Sequence, residues 1–361
     1  MSANTLIAVK KLGQRIWLDN LSRTLLQEGE LARLIERDGI AGVTSNPAIF
    51  YKAIDDGKYY ADDYQRLKAT VNEPETRYEG LVIPDIQAAC DLLLSQYQAT
   101  FGADGYVSLE VSPFLARDEA GTIAAAKRLW EAVNRKNLMI KVPATSEGIR
   151  ALESLVAEGL NVNMTLMFSL KHVEDVAHAY IRGMTRWIAR GGDPRQIKSV
   201  ASVFLSRVDS HIDAKLDSTG SNIALNLRGK SAVSMAKLAY QRYREIFYGA
   251  PFAELRHLGV RPQYLLWAST GTKNPSYSDV LYVESVIGTD TINTVPDTTL
   301  AAFRDHGKAE LNLELGLDEA KTVLQTLQAL DISLSLVGET LQAEGLKLFD
   351  EAYRKLLAKM A

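Results

Sequence analysis

Short apolar runs alternate along this chain with longer stretches whose apolar positions recur every three to four residues. The runs lie at 15–19, 42–46, 105–111, 138–142, 162–168, 200–205, 263–269 and 291–295, and they predict eight β-strands. The amphipathic stretches predict helices over 21–37, 119–136, 146–158, 171–190 and 231–247. Strands apolar on both faces belong to parallel sheets covered by helices. Eight strand–helix repeats therefore predict an α/β fold, a closed (β/α)8 (TIM) barrel. The 361 residues exceed the roughly 250 of an ordinary barrel. The surplus falls in a tyrosine-rich segment at 51–77, in 218–229 with the helix after it, and in a leucine-rich stretch at 317–361. No Pro/Gly/Ser-rich linker and no internal repeat divides the chain, so one domain over 1–361 with inserted and C-terminal helices is expected.

Barrels place their chemistry at the C-terminal ends of the strands. Every predicted strand carries a polar residue there: Asp19; Thr44 and Asn46; Glu110; Lys141; Asn163 and Thr165; Ser202 and Arg207; Ser269 with Lys273 beyond it; and Asn293. Residues two apart share a face of a strand, so Thr44 with Asn46, Asn163 with Thr165, and Ser202 with Phe204 point the same way. The run Leu138-Met139-Ile140-Lys141-Val142-Pro143 stands out, because a lysine inside a doubly buried strand is costly. Burial lowers the pKa of a lysine, and a neutral amine attacks carbonyls to form a Schiff base. The alternative readings of Lys141 are a snorkelling side chain at a strand end and one half of a buried ion pair. Asp19 reads either as an acid/base or as the N-cap of the helix at 21–37. Glu110 reads as a second acid/base or as a counter-charge to Lys141, and Arg207 as a phosphate ligand or as a surface charge beside Asp209.

Composition narrows the class. The formal net charge is -3, the pI is about 6.0, and 24% of residues are charged. This excludes an electrostatic nucleic-acid binder. No apolar run approaches the roughly 18 residues of a membrane span, and the N-terminal segment lacks the pattern of a signal peptide. The single cysteine, Cys90, lies in a helix-like stretch at 86–97; it reads as a small core residue and fits a cytoplasmic location. None of the five histidines sits at a strand end, and His211 reads as a helix-surface residue, so no metal site is expected. Gly191-Gly192 reads as a helix stop, and no phosphate-cradling glycine loop follows a strand.

Six motifs resemble the transaldolase family, class I aldolases of sugar phosphates. They are Trp17-Leu18-Asp19, Gly42-Val43-Thr44-Ser45-Asn46-Pro47, Ser108-Leu109-Glu110-Val111, Ile140-Lys141-Val142-Pro143-Ala144-Thr145, Asn161-Val162-Asn163-Met164-Thr165 and Ser202-Val203-Phe204-Leu205-Ser206-Arg207. The resemblance runs in order from about residue 10 to about residue 300. It implies that Lys141 forms the imine, that Asp19 is the acid/base for carbon–carbon cleavage, and that Glu110 acts with Thr165 through an ordered water. It further implies that Asn46 and Asn163 bind the dihydroxyacetone moiety, that Arg207, Ser202 and Ser269 bind phosphate or position the substrate, and that Thr44 and Phe204 are further substrate-binding residues. The implied reaction moves dihydroxyacetone from sedoheptulose 7-phosphate to glyceraldehyde 3-phosphate, in the non-oxidative pentose phosphate branch. Sugar phosphates are the expected partners, without cofactor or metal, in a monomer or homodimer. One departure concerns phosphate: short family members carry an arginine two residues after the seventh-strand serine. Here Ser269 is followed by Thr270-Gly271-Thr272-Lys273, so Lys273 is the expected substitute, supplying charge without a bidentate fork. The closest rival is a fructose-6-phosphate aldolase, which resembles the chain less because it has glutamine and tyrosine in place of Glu110 and Phe204. A barrel that has lost catalysis and binds sugar phosphates or a protein partner is the second rival.

Overall fold

The computed structural model describes residues 4–361. Eight parallel strands close into a barrel in sequence order: β1 Gln14–Leu18, β2 Gly42–Val43, β3 Tyr106–Glu110, β4 Leu138–Pro143, β5 Val162–Met167, β6 Ser199–Phe204, β7 Tyr264–Ala268 and β8 Thr291–Val295. Closure is made by β1 on β8, with Trp17 opposite Thr294. The interior is packed: Trp17, Met139, Val200 and Leu266 are among its buried side chains.

β2 is shorter than its predicted run. Its last three residues, Thr44 to Asn46, leave the sheet to start the helix Pro47–Asp56. Asn46 caps that helix, its side-chain oxygen accepting from the Ile49 amide at 3.0 Å, and Pro47 follows at the first helical position. Gly42 is required where β2 passes Trp17: a Cβ there would lie 2.4 Å from the indole ring.

Two helical expectations change. The stretch 21–37 is two helices, Arg23–Gln27 and Glu30–Asp38, separated at Gly29, whose φ of 71° no side-chain-bearing residue adopts cheaply. Ser22, not Asp19, caps the first of them, accepting from the Leu25 amide. The segment 51–77 is helical: it completes Pro47–Asp56, forms Ala61–Thr70 and enters the long helix Pro74–Ala99 that buries Cys90.

The C-terminal surplus ends in a 27-residue helix, Leu334–Met360, that lies against the C-terminal ends of β4 and β5. Gln342 donates its side-chain amide to the Ala144 carbonyl at 2.8 Å and to the Leu166 carbonyl at 3.1 Å. Glycines allow the close approach: a Cβ at 345 would lie 2.9 Å from Leu166, and one at 338 would lie 2.8 Å from Ser169. The inserted segment grips the far end of this helix. Lys359 pairs with Asp55, the Tyr64 hydroxyl donates to the Lys359 carbonyl at 3.0 Å, and Arg77 donates to the carbonyls of Met360 and Ala361.

Candidate active site

The polar residues predicted at the strand ends converge at one mouth of the barrel. Asp19, Thr44, Asn46, Lys141, Thr165, Ser202, Phe204, Arg207 and Ser269 line a chamber of about 110 Å³ there. Thr294 and Phe349 complete its wall. Sequence reasoning missed both. Thr294 is one residue beyond the polar position chosen on the eighth strand, whereas Asn293 faces away and donates to the Tyr282 carbonyl at 2.9 Å. Phe349 comes from the C-terminal helix, where it reads as one more apolar position of an amphipathic pattern.

Lys141 is the centre of the chamber. It is 5% exposed; its Nζ lies 3.2 Å from Glu110 Oε2, 3.2 Å from the Ser45 carbonyl and 5.6 Å from the centre of the Phe349 ring. The ion-pair alternative is thus what the geometry contains, and the pair is enclosed. Glu110 lies behind the lysine, with its proton affinity raised by burial against the opposing pull of Lys141. Its Oε1 and the hydroxyl of Thr165 are buried without a protein partner. A second buried lysine, Lys198, stacks its Nζ 3.2 Å from the centre of the Tyr264 ring. It precedes β6, at the opposite end of the barrel from the chamber.

Asp19 follows β1. Its Oδ1 accepts from the Thr44 hydroxyl at 2.7 Å, and Thr44 shares a second 2.7 Å hydrogen bond with Thr294. Burial raises the Asp19 pKa, while Lys141 and the Thr44 hydrogen bond pull it back. Two carboxyls of raised proton affinity, Glu110 buried and Asp19 half-buried, flank the lysine, an arrangement that can move protons as well as pair charge.

Asn163 is not among the residues that line the chamber; it is fully buried, level with Lys141, donates to Ser108 Oγ at 3.0 Å and accepts from Ser202 Oγ at 2.7 Å. Asn46 keeps its amide nitrogen free of protein partners after its oxygen caps the helix. Ser269 sits at a φ of 53°, a strained conformation for a non-glycine residue, and is tied to Ser206 by a 2.8 Å hydroxyl contact. Arg207 is in the first turn of the helix Ser206–Thr219, with its guanidinium 5.5 Å from the Phe204 ring centre and, among the described residues, no carboxylate within ion-pair distance. Asp209 is not its partner: it is buried on another face, accepting from the Ala232 amide and the Tyr282 hydroxyl at 2.8 Å each. Lys273 stands outside the chamber, in an adjoining cleft that Arg207 also lines. Among the described residues no three His, Cys, Asp or Glu side chains gather into a metal-ligating group, and no helix is long and apolar enough to cross a membrane.

A chamber built on a buried lysine and two carboxyls can form an imine and move protons on both sides of it. Comparison with known proteins agrees with that chemistry. The family model for transaldolase/fructose-6-phosphate aldolase matches residues 16–360. The chain is 53% identical to a transaldolase of Thiobacillus denitrificans and 49% identical to one of Neisseria gonorrhoeae, each alignment covering 98% of both chains. It is 42% identical to a protein named transaldolase 2 of Nostoc sp., over 99% of this chain and 97% of that one. The chain therefore belongs to the transaldolase/fructose-6-phosphate aldolase family.

Proposed function

We propose that this enzyme is a transaldolase that carries a dihydroxyacetone unit on Lys141, from sedoheptulose 7-phosphate to glyceraldehyde 3-phosphate. The observation that carries the reading is the enclosed Lys141–Glu110 pair, with Asp19 on the same chamber. Lys141 Nζ passes its extra proton to Glu110 and attacks C2 of the ketose. The carbinolamine loses its hydroxyl as water, with a proton delivered by Glu110, and a water held by Glu110 Oε1 and the Thr165 hydroxyl relays it. Asp19 then takes the proton of the C4 hydroxyl. The C3–C4 bond breaks, its electron pair moves into the iminium to give an enamine, and erythrose 4-phosphate leaves. The enamine attacks C1 of glyceraldehyde 3-phosphate, Asp19 returns its proton to the new hydroxyl, and hydrolysis of the imine releases fructose 6-phosphate. Asn46 holds the dihydroxyacetone hydroxyls through its free amide, Ser202 is aligned by Asn163, and Arg207 with Ser269 receives the phosphate end.

Borohydride reduction in the presence of fructose 6-phosphate tests this. Mass spectrometry should find a reduced dihydroxyacetone unit on Lys141, and Lys141→Ala should lose both adduct and transfer. An adduct on another lysine would overturn the assignment.

A further inference from the structure

Thr294, Asp19 and Thr44 stand at three neighbouring strand ends, where β8, β1 and β2 meet. The backbone sets their spacing. The Asp19 amide donates to the Val295 carbonyl at 2.8 Å, and the Thr44 amide donates to the Leu18 carbonyl at 2.9 Å. Thr294 lies opposite Trp17 in the β1–β8 register, and the Thr270 hydroxyl donates to its carbonyl at 2.8 Å. Both Thr44 and Thr294 are buried. The direction of the hydrogen bonds among the three side chains follows from counting protons. A threonine hydroxyl carries one, and an ionised carboxylate only accepts. Thr44 therefore gives its proton to Asp19 Oδ1, at 2.7 Å. The 2.7 Å contact between the two threonine hydroxyls is then donated by Thr294, which has no other side-chain partner among the described residues. The chain runs from Thr294 to Thr44 to Asp19. With a lone pair engaged by Thr294, the Thr44 hydroxyl is fixed in rotation and is the stronger donor for it. Its bond occupies Oδ1 of Asp19 and leaves Oδ2 without a protein partner.

We propose that Thr294 is a positioning residue for Asp19, which through Thr44 locks the carboxyl in place and directs the C4 hydroxyl proton to Oδ2. The proposal rests on the transferase reading and adds to it the group that aims the base. The proton leaves the C4 oxygen for Oδ2 as the C3–C4 electron pair moves into the iminium, and it returns from Oδ2 to the new hydroxyl after the acceptor is attacked. Thr44 and Thr294 keep their own protons throughout. The charged groups that face Asp19 are Lys141, Glu110 and Asp297, with Lys52, Asp55 and Asp56 across an outer cleft that Asp19 also borders. A change at Thr294 alters none of them.

Thr294→Val keeps the branched shape that suits a strand and removes one hydroxyl. In the pH profile of transfer, the acidic limb that Asp19→Asn abolishes should move up by about 0.5–1 pH unit, because a weakened donor supports the ionised carboxyl less. On the plateau kcat should fall about three- to thirty-fold, with KM for fructose 6-phosphate within about two-fold of the parent. The borohydride adduct on Lys141 should form as before. Thr294→Ser retains the hydroxyl and should restore both limb and kcat, and Thr294→Ala should match Thr294→Val, so the test stands if one of the pair does not fold. An unmoved limb, a serine variant as impaired as the valine one, or loss of the adduct in a folded variant overturns the assignment. Carbon-13 NMR of aspartate labelled at the carboxyl reads the same group without turnover. The Asp19 resonance, identified by its absence from Asp19→Asn, should titrate higher in Thr294→Val by the same amount, and an unchanged titration overturns the assignment. Absence of transfer in the unaltered protein would count against the catalytic reading, and the NMR titration would still decide whether Thr294 acts on Asp19.

Discussion

Gln342→Leu should release the roof of the chamber without emptying it. Leucine occupies a similar volume, so the change removes hydrogen bonds and leaves no cavity. Gln342 is 5% exposed and supplies both donors that reach the carbonyls of Ala144 and Leu166. Leu166 is at a φ of 59°, inside the stretch between Met164 and Met167 where the register of β5 on β6 shifts. A bulky residue in the left-handed region costs roughly 1–2 kcal/mol and persists where its surroundings hold it. Two buried carbonyls left without donors cost about 1–3 kcal/mol each before relaxation, so about 2–4 kcal/mol of helix docking should be lost. Local opening of Leu334–Met360 should rise by roughly 30- to 1,000-fold. Hydrogen exchange followed by mass spectrometry should find peptides of 334–360 accelerated by that range, while peptides of 297–306, in the helix after β8 across the barrel from β4, stay as in the parent. Because Phe349 covers Lys141, water should also reach the enamine more often, and free dihydroxyacetone should be released from fructose 6-phosphate faster. Unchanged exchange over 334–360 would refute the anchoring role. Equal acceleration over the whole chain would show that Gln342 supports global stability instead.

Asp19→Asn keeps the Thr44 contact but removes the base, so the borohydride adduct should persist while transfer falls by roughly 10²–10⁴-fold; normal transfer would remove Asp19 from the chemistry. Its acidic limb in the pH–rate profile should vanish with it, since Asp19 must be ionised to accept the C4 hydroxyl proton. Asp209 has its pKa pushed by burial from 3.8 to about 6, so the folded state holds a proton that the unfolded state has lost. Stability therefore falls as pH rises from about 4 to about 6, by about 3 kcal/mol in all, and denaturant titrations of Asp209→Asn should lack that decline. Phe204 lines the chamber and packs 5.1 Å from the Phe168 ring centre. Phe204→Tyr adds a hydroxyl that can protonate the enamine or order a water, so release of dihydroxyacetone without acceptor should rise and transfer should fall; an unchanged ratio would dissociate Phe204 from that choice.

The barrel was legible because each strand pairs an apolar run with a polar residue at one end, a pattern that burial and fold topology both enforce. The placing of Lys141, Asp19 and Glu110 together at the barrel mouth was legible for the same reason: charged side chains in such runs are expensive and mark one end of the strands. Gly29 hides its break because the apolar period continues across it, and periodicity senses a face but not a kink. Strand alternation gives the face of Asn163 but not the Ser108 and Ser202 hydroxyls that its side chain bonds there. Phe349 and Gln342 left no local signal, since their partners lie across the fold in β4 and β5. The segment 51–77 was opaque for a related reason. Its polar and tyrosine side chains look solvated until the C-terminal helix, which they grip, is in place.

That grip sets an order of events during synthesis. Asp55 and Lys359 are 304 positions apart, and at 5–20 residues per second a ribosome takes roughly 15–60 s to pass from one to the other. β1 and β2 precede that interval, β3 to β8 are made within it, and all eight strands are complete before the helix that the inserted segment clamps. A nascent chain can therefore hold every strand-end polar group of the chamber while Phe349 is missing and Lys141 faces solvent with no cover. The roof is the final piece of chemistry to mature, and translational stalling between residues 300 and 349 would yield an open, aldehyde-accessible amine instead of an enclosed transferase.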